Sequence, residues 1–181
     1  MVHIRRASAS DAQFIAETYR PFVEDNWASF EESAPDRAEM IARIDAAGDL
    51  YPWLIAERDE RLAYAYASPH RSRAAYASSV DTTIYCAPGA RGKGVGKALY
   101  GALLKTVALQ NYVMAFGGIA LPNEASVALH NSAGFELIGT YPNVGYKTGA
   151  WRSVQWWGKP LSPPADPPKS ILNVSDVFTP H

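Results

Sequence analysis

The chain has 181 residues, enough for one domain of ordinary size that buries a sizeable core without metal or disulfide staples. Its 17 basic and 18 acidic residues leave a formal charge of −1, which excludes the broad positive field on which general nucleic-acid binding rests. The single cysteine, Cys86, excludes an intrachain disulfide and favours a cytoplasmic home; the opening "MVHIRRASASD" lacks the apolar core of a secretion signal, and no window approaches the roughly 18 apolar residues of a membrane helix.

In chain order, the short alternating "VHIRRA" predicts a first strand. Ser8 followed by Asp11 predicts a cap, and residues 11–25 then carry apolar side chains at helical spacing, with Pro21 expected to kink or end that helix. A second helix is predicted from about Asp36 to Gly48. "PWLIAER" and "RLAYAYAS", joined at Asp59-Glu60, predict a hairpin, followed by the polar loop "PHRSRAA". A long strand over residues 76–87 puts Val80, Thr82, Ile84 and Cys86 on one face and Asp81, Thr83 and Tyr85 on the other. A third helix, residues 94–109, carries the apolar stripe Val95, Leu99, Leu103 and Val107.

"YVMAFGGIA" predicts a buried strand, and "LPNEASVALHNSAGF" a short helix capped by Asn123 and closed at Gly134. Strands over 135–141 and 154–159 finish a domain expected to span residues 1–161. The remainder, 162–181, is proline-rich and predicted to be an extended arm without a helix or a central strand, ordered only where it lies on the body or on a partner.

The chemistry concentrates in "IYCAPGARGKGVGKALY". As a Walker A loop ending at Gly96-Lys97 it would put Arg91 at the first glycine and Ala98 where a metal-binding hydroxyl is needed. A dinucleotide fingerprint starting at Gly92 finishes on Lys97, and one starting at Gly94 finishes on Leu99. Both readings fail. What remains is a glycine-rich turn at a helix N-terminus, flanked by Arg91, Lys93 and Lys97, where consecutive backbone N–H groups and the positive helix end suit a pyrophosphate.

Arg91 to Gly96 resembles the Q/R-x-x-G-x-G/A loop of the GNAT N-acetyltransferases. "LPNEASVALHNSAGF" is similar to that family's next element. "YPWL", "AYASPHRSRAAY" and "VGYKTGAWRSVQWW" extend the likeness, nearly to Leu161, to the phosphinothricin and methionine sulfoximine acetyltransferases. The resemblance implies an α/β (α+β) fold: a mixed, mostly antiparallel sheet of about seven strands flanked by about four helices. It implies acetyl-CoA as cosubstrate, acetyl transfer to the α-amine of a small amino acid or analogue, and a homodimer; separately, His3, His70 and His181 have no metal-ligand spacing, so no metal is expected.

By the same resemblance, the backbone of Ile84, Tyr85 and Cys86 is expected to hold the pantetheine and acetyl group. Arg91, Gly92, Lys93, Gly94, Val95, Gly96 and Lys97 are expected to hold the pyrophosphate, and Asn123 and Ser126 to reach the cofactor. Arg73 and Tyr76 would grip the substrate acid, an arginine fork pairing with carboxylate or phosphinate bidentately, while Phe30, Arg71 and Thr83 line the pocket. The catalytic position departs from the pattern. Asp81 in "DTTIY" stands where the family has glutamate, which shortens its reach by about 1.5 Å.

An ammonium cannot attack a thioester until a proton leaves, and general-base help is worth about 10²–10⁴-fold. Asp81, directly or through water, is the expected base. His130 is expected to protonate the departing sulfur or to share the base role with Asp81. Two alternatives stay open: a GNAT enzyme for another small amine or a protein N-terminus, and a coenzyme A-binding module with little catalysis.

Overall fold

Alternation decides the layers. The two long alternating runs form β3 (Arg61–Pro69) and β4 (Ser79–Cys86), paired antiparallel with Tyr64 opposite Tyr85, Tyr66 opposite Thr83 and Ser68 opposite Asp81. Their small-residue face, with Ala63, Ala65, Ala67 and Val80, lies under α3 (Val95–Leu109) and packs with Leu99, Leu103 and Val107. The opposite face carries Tyr64 with Trp53 and Ile55 and is covered by α1 (Ala12–Glu24) and α2 (Arg37–Ala47). Both cores are fully buried at their centres, so each helix contributes through its apolar stripe rather than through helix propensity.

The computed structural model describes residues 2–180. It adds β1 (His3–Arg6), β2 (Trp53–Glu57), β5 (Met114–Ala120), β6 (Glu136–Lys147) and β7 (Ala150–Pro160) to one seven-stranded sheet of order β1-β2-β3-β4-β5-β7-β6. Only β4 and β5 run parallel; every other pairing is antiparallel. The remaining helices are α4 (Glu124–Ser132) and α5 (Val174–Val177). The mixed, mostly antiparallel α/β sheet agrees with the expected architecture.

Asp11 fastens one corner. It is fully buried, and its carboxylate accepts two bonds from Arg5 at 2.8 Å each, one from Arg61 at 2.6 Å and one from the Ser8 N–H at 2.8 Å. The predicted Ser8–Asp11 cap therefore exists, but it closes a single 3₁₀ turn, Ala9–Asp11, that leads into α1.

Several expectations need correction. Pro21 does not end α1, which continues to Glu24; it lacks the N–H that would donate to the Glu17 carbonyl, and the helix persists because its apolar stripe is buried on both sides of the proline, at Tyr19 and Val23. The strand predicted from residue 76 begins at Ser79, because the β3 ladder stops at Pro69–Val80, and Ala74–Tyr76 form a 3₁₀ turn instead. β6 and β7 are longer than predicted. They meet at Thr148-Gly149, both with positive φ, and register shifts after Leu137 and Tyr141 absorb the interruption around Pro142 on an edge strand.

The tail is not a bare arm. Beyond its prolines, Val174–Val177 form one helical turn, and Val174 is fully buried. Gln110 Nε2 donates to the Leu50 and Leu172 carbonyls, and the Leu172 and Val174 N–H groups donate to Gln110 and Asp49. His181, its last residue, lies outside the described residues.

Candidate active site

β4 and β5 pair over three positions, the last being Asp81 with Phe116, and then part. β5 continues beside β7, so a wedge opens between Thr82–Cys86 on one side and Gly118–Ala120 on the other. This wedge is the wall of a cleft of about 570 Å³, whose lining includes Ile84, Tyr85, Cys86, Arg91, Gly92, Gly94, Gly96, Lys97, Asn123, Ser126, Thr83 and His130. Ten of the twelve residues predicted for the cofactor therefore share one cavity. Lys93 is exposed outside it, and the Val95 side chain is buried in the core beneath α3.

The glycine-rich turn is built as the sequence requires. Gly92 and Gly94 have φ of 72° and 76°, a conformation that favours glycine, and Gly94 is the N-cap of α3 with no side-chain cap on the first turn. Gly96 lets α3 approach β4, since a Cβ there would lie 3.3 Å from Cys86 Sγ. Burial pushes the Cys86 thiol up, against the pull of Arg91, so it is a packing group and not a ready thiolate. The Tyr85 side chain turns away from the wedge into a ring cluster with Tyr19 and Phe22, at 4.9 and 4.7 Å. Asn123 caps α4 by accepting from the Ser126 N–H.

His130 lies across the sheet from Asp81. Its Nε2 is 3.0 Å from Tyr100 Oη, which is 2.8 Å from Thr82 Oγ1, and its Nδ1 is 2.8 Å from the Ser126 carbonyl. Thr82 and Tyr100 belong to the α3 face, whereas Asp81 belongs to the opposite one. Strand alternation thus sets His130 and Asp81 on opposite faces, and no hydrogen bond joins them among the described residues. The chain from the Ser126 carbonyl through His130, Tyr100 and Thr82 to the Phe116 carbonyl has four links, yet only three protons if the imidazole is neutral. Burial lowers the His130 pKa, against the Ser126 carbonyl that raises it, which favours the neutral ring.

Gly117 makes that network possible. A Cβ there would lie 2.5 Å from His130 Nε2, a ring held at both nitrogens. Gly117→Ala is expected to destabilise the protein by about 1–3 kcal/mol in urea unfolding. Gly158→Ala clashes with the end of Ile138, which is 60% exposed and free to swing, and meets Phe116 only at an ordinary contact of 3.5 Å, so it is expected to cost less than about 0.5 kcal/mol.

Asp81 has a partner that the sequence reading passed over. His70 Nδ1 lies 2.6 Å from Asp81 Oδ1. Burial raises the Asp81 pKa, while the His70 hydrogen bond and the nearby Arg71 charge pull it down; the net direction is upward. The Arg71 guanidinium lies over the Trp156 ring at 5.4 Å, and Tyr76 meets the His70 ring edge-on at 5.9 Å. Arg71 and Tyr76 thus gather near Asp81. Arg73, between them in the loop, is exposed, with no ion pair of its own among the described residues. Phe30 is elsewhere, 41% exposed and packed over Gly145 on β6.

Residues 4–156 match the acetyltransferase (GNAT) domain. The chain belongs to the GNAT acetyltransferase family. It is similar to a phosphinothricin N-acetyltransferase of Streptomyces coelicolor, 49% identical over 106 residues, which span 59% of this chain and 62% of that protein. It is also similar to an L-methionine sulfoximine/L-methionine sulfone acetyltransferase of Pseudomonas paraeruginosa, 32% identical over 91% of this chain and 98% of that one. Among solved structures, a GNAT phosphinothricin acetyltransferase from Sinorhizobium meliloti in complex with AcCoA superposes with a TM-score of 0.84. It is 37% identical and covers 87% of this chain and 86% of that one.

Proposed function

We propose that the protein is an acetyl-CoA-dependent N-acetyltransferase whose acceptor is the α-amine of a small amino acid or analogue, of the phosphinothricin or methionine sulfoximine type. The observation that carries this reading is the wedge where β4 and β5 part, with a glycine turn at the N-terminus of α3 at one end and Asp81 at its vertex. The names of the relatives, and the AcCoA bound in the S. meliloti structure, support the same assignment.

In this reading the backbone of Ile84, Tyr85 and Cys86, which pairs with no strand on the β5 side, offers hydrogen bonds to the pantetheine amides. A backbone N–H at Tyr85 or Cys86 polarises the thioester carbonyl. The N–H groups from Gly92 to Lys97, with Arg91, Lys93 and Lys97 around them, take the pyrophosphate, while Asn123 and Ser126 form the facing wall. Thr83 shapes the approach of the acceptor, whose acid is gripped by Arg71, Arg73 and Tyr76. Asp81 organises deprotonation of the acceptor amine. His130 serves the cleft wall through Tyr100 and Thr82.

The same reading places the enzyme in the cytoplasm and in a homodimer, and treats residues 162–181 as an appendage to the catalytic domain. Among the described residues no helix is long and apolar enough to cross a membrane. Exposed Ile138, Val144, Tyr146 and Trp151 on β6 and β7 supply an apolar surface for association.

Thiol release from acetyl-CoA, measured across a panel of amino acids, their sulfoximine and phosphinate analogues, polyamines and peptides, tests the proposal. The expected result is turnover with acid-bearing amino-acid acceptors. Silence with every acceptor would overturn it. Arg73→Ala is expected to raise KM for these acceptors roughly 10–100-fold, the worth of one charged hydrogen bond, while leaving KM for acetyl-CoA unchanged.

A further inference from the structure

Asp81 is shorter by one methylene than the glutamate expected at its position, and one of its oxygens is already engaged within the fold. Its Oδ1 lies 2.6 Å from His70 Nδ1. The contact follows from strand register: β3 and β4 pair Ser68 with Asp81 and Pro69 with Val80, so the residue after Pro69 leaves the ladder beside Asp81.

The ring is clamped. It stacks on Phe116 at 4.2 Å and 22°, and it meets Trp156 and Tyr76 edge-on at 6.1 and 5.9 Å. Phe116 is the last β5 residue paired with β4, so the imidazole sits at the vertex of the wedge. With Nδ1–H donated to the carboxylate, Nε2 keeps its lone pair, and no described residue hydrogen-bonds to it. Arg71 and Tyr76, both assigned to the acceptor's acid, stand on the loop that carries His70.

We propose that His70 Nε2 is the atom that takes the proton from the acceptor's ammonium, with Asp81 as the positioning residue that fixes its tautomer and orientation. This rests on the acetyltransferase reading and names the base within it. The ammonium gives one proton to Nε2, and the amine nitrogen attacks the thioester carbonyl. The C–N bond forms, the C–S bond breaks, the second nitrogen proton ends on the departing sulfur, and the imidazolium returns its proton to water. One proton is released for each amide formed. The imidazole makes good the missing methylene: a carboxylate too short to reach the amine instead holds a base that extends past it.

The ionisable groups facing the pair are Arg71 and Tyr76 on the loop and Tyr66 on β3; Phe116 and Trp156 are neutral. The pair is tested with wild type, His70→Gln, His70→Phe and His70→Phe/Asp81→Glu, assayed by thiol release from acetyl-CoA with an amino-acid acceptor. ¹⁵N NMR of the imidazoles in unliganded wild type and Asp81→Asn accompanies the assay. His70→Gln is expected to lower kcat about 10²–10⁴-fold, with KM for acetyl-CoA unchanged and the acidic limb of the kcat/KM profile displaced upward to the ionisation of the acceptor amine itself. Asp81→Glu in the His70→Phe background is expected to recover part of the loss, because the longer acid reaches the amine itself.

The NMR spectrum is expected to show His70 protonated at Nδ1 in wild type and to lose that preference in Asp81→Asn, a result independent of whether any His70 variant folds. Wild-type kcat and an unchanged pH profile in His70→Gln would overturn the base role alone, as would an Nε2-protonated tautomer in wild type. A wild-type enzyme silent toward every acceptor would instead overturn the acetyltransferase reading, and the base role with it.

Discussion

Asp81→Asn is expected to lower kcat for acetylation of an amino-acid acceptor by about 10²–10⁴-fold, some 3–5 kcal/mol of transition-state stabilisation. The substitution keeps the shape of the side chain but removes its charge. An amide presents to His70 Nδ1 either an NH₂ group or a weak carbonyl, so the imidazole loses the partner that sets its tautomer. The cleft is lined without Asp81, so acetyl-CoA affinity is expected to be unaffected. Steady-state kinetics with both substrates varied separates these effects. Unchanged kcat would remove Asp81 from the proposed mechanism, and a loss confined to KM for acetyl-CoA would move it into cofactor binding.

The second large effect concerns stability. Asp11 is buried, and burial alone would raise its pKa, but hydrogen bonds from Arg5, the Ser8 N–H and Arg61 outweigh that and hold the carboxyl well below the usual range. Asp11→Ala leaves Arg61 without its carboxylate and Arg5 with Glu57 alone, and it unfastens β1, β3 and the start of α1 from one another. The expected loss is about 3–5 kcal/mol, or roughly 10 °C in Tm for a chain of this length. The sign with pH follows from the depressed value. The stabilisation is present above the unfolded-state pKa near 4 and is lost as pH falls through the folded value. Urea unfolding at neutral and acidic pH is therefore expected to show a gap between wild type and variant that narrows in acid. A gap independent of pH would mean that packing, not charge, is what Asp11 supplies.

Most of the cleft was legible because its signals are local. A glycine that must adopt positive φ, as Gly92 and Gly94 do, declares itself in the chain. So does the Asn123 cap, whose acceptor and donor are three residues apart. The alternation of β4 likewise assigned Thr82 and Asp81 to opposite faces, and followed through, that alternation already separates Asp81 from His130. The glycines of "FGGI" were not legible as site features. Gly117 is explained only by the His130 ring against it, and Gly118 by Trp156, whose nearest atom would lie 3.4 Å from an added Cβ.

The amino-acid sequence by itself determined the order and faces of the elements, the pyrophosphate-type turn before α3 and the acid at residue 81. Each of these is a matter of side-chain period or of a few neighbouring residues. Only the tertiary structure decided what stands beside that acid. His70 lies in a polar loop with no periodicity of its own, eleven positions from Asp81, and the signal for it was the β3–β4 register, a pairing that no single segment encodes. The docking of Val174 onto the body was decided in the same way, by Asp49 and Gln110 from distant parts of the chain. Contacts set by register and packing come into being when the sheet closes, which is why the partner of Asp81 changed from the histidine of the recognisable motif to the one in the loop.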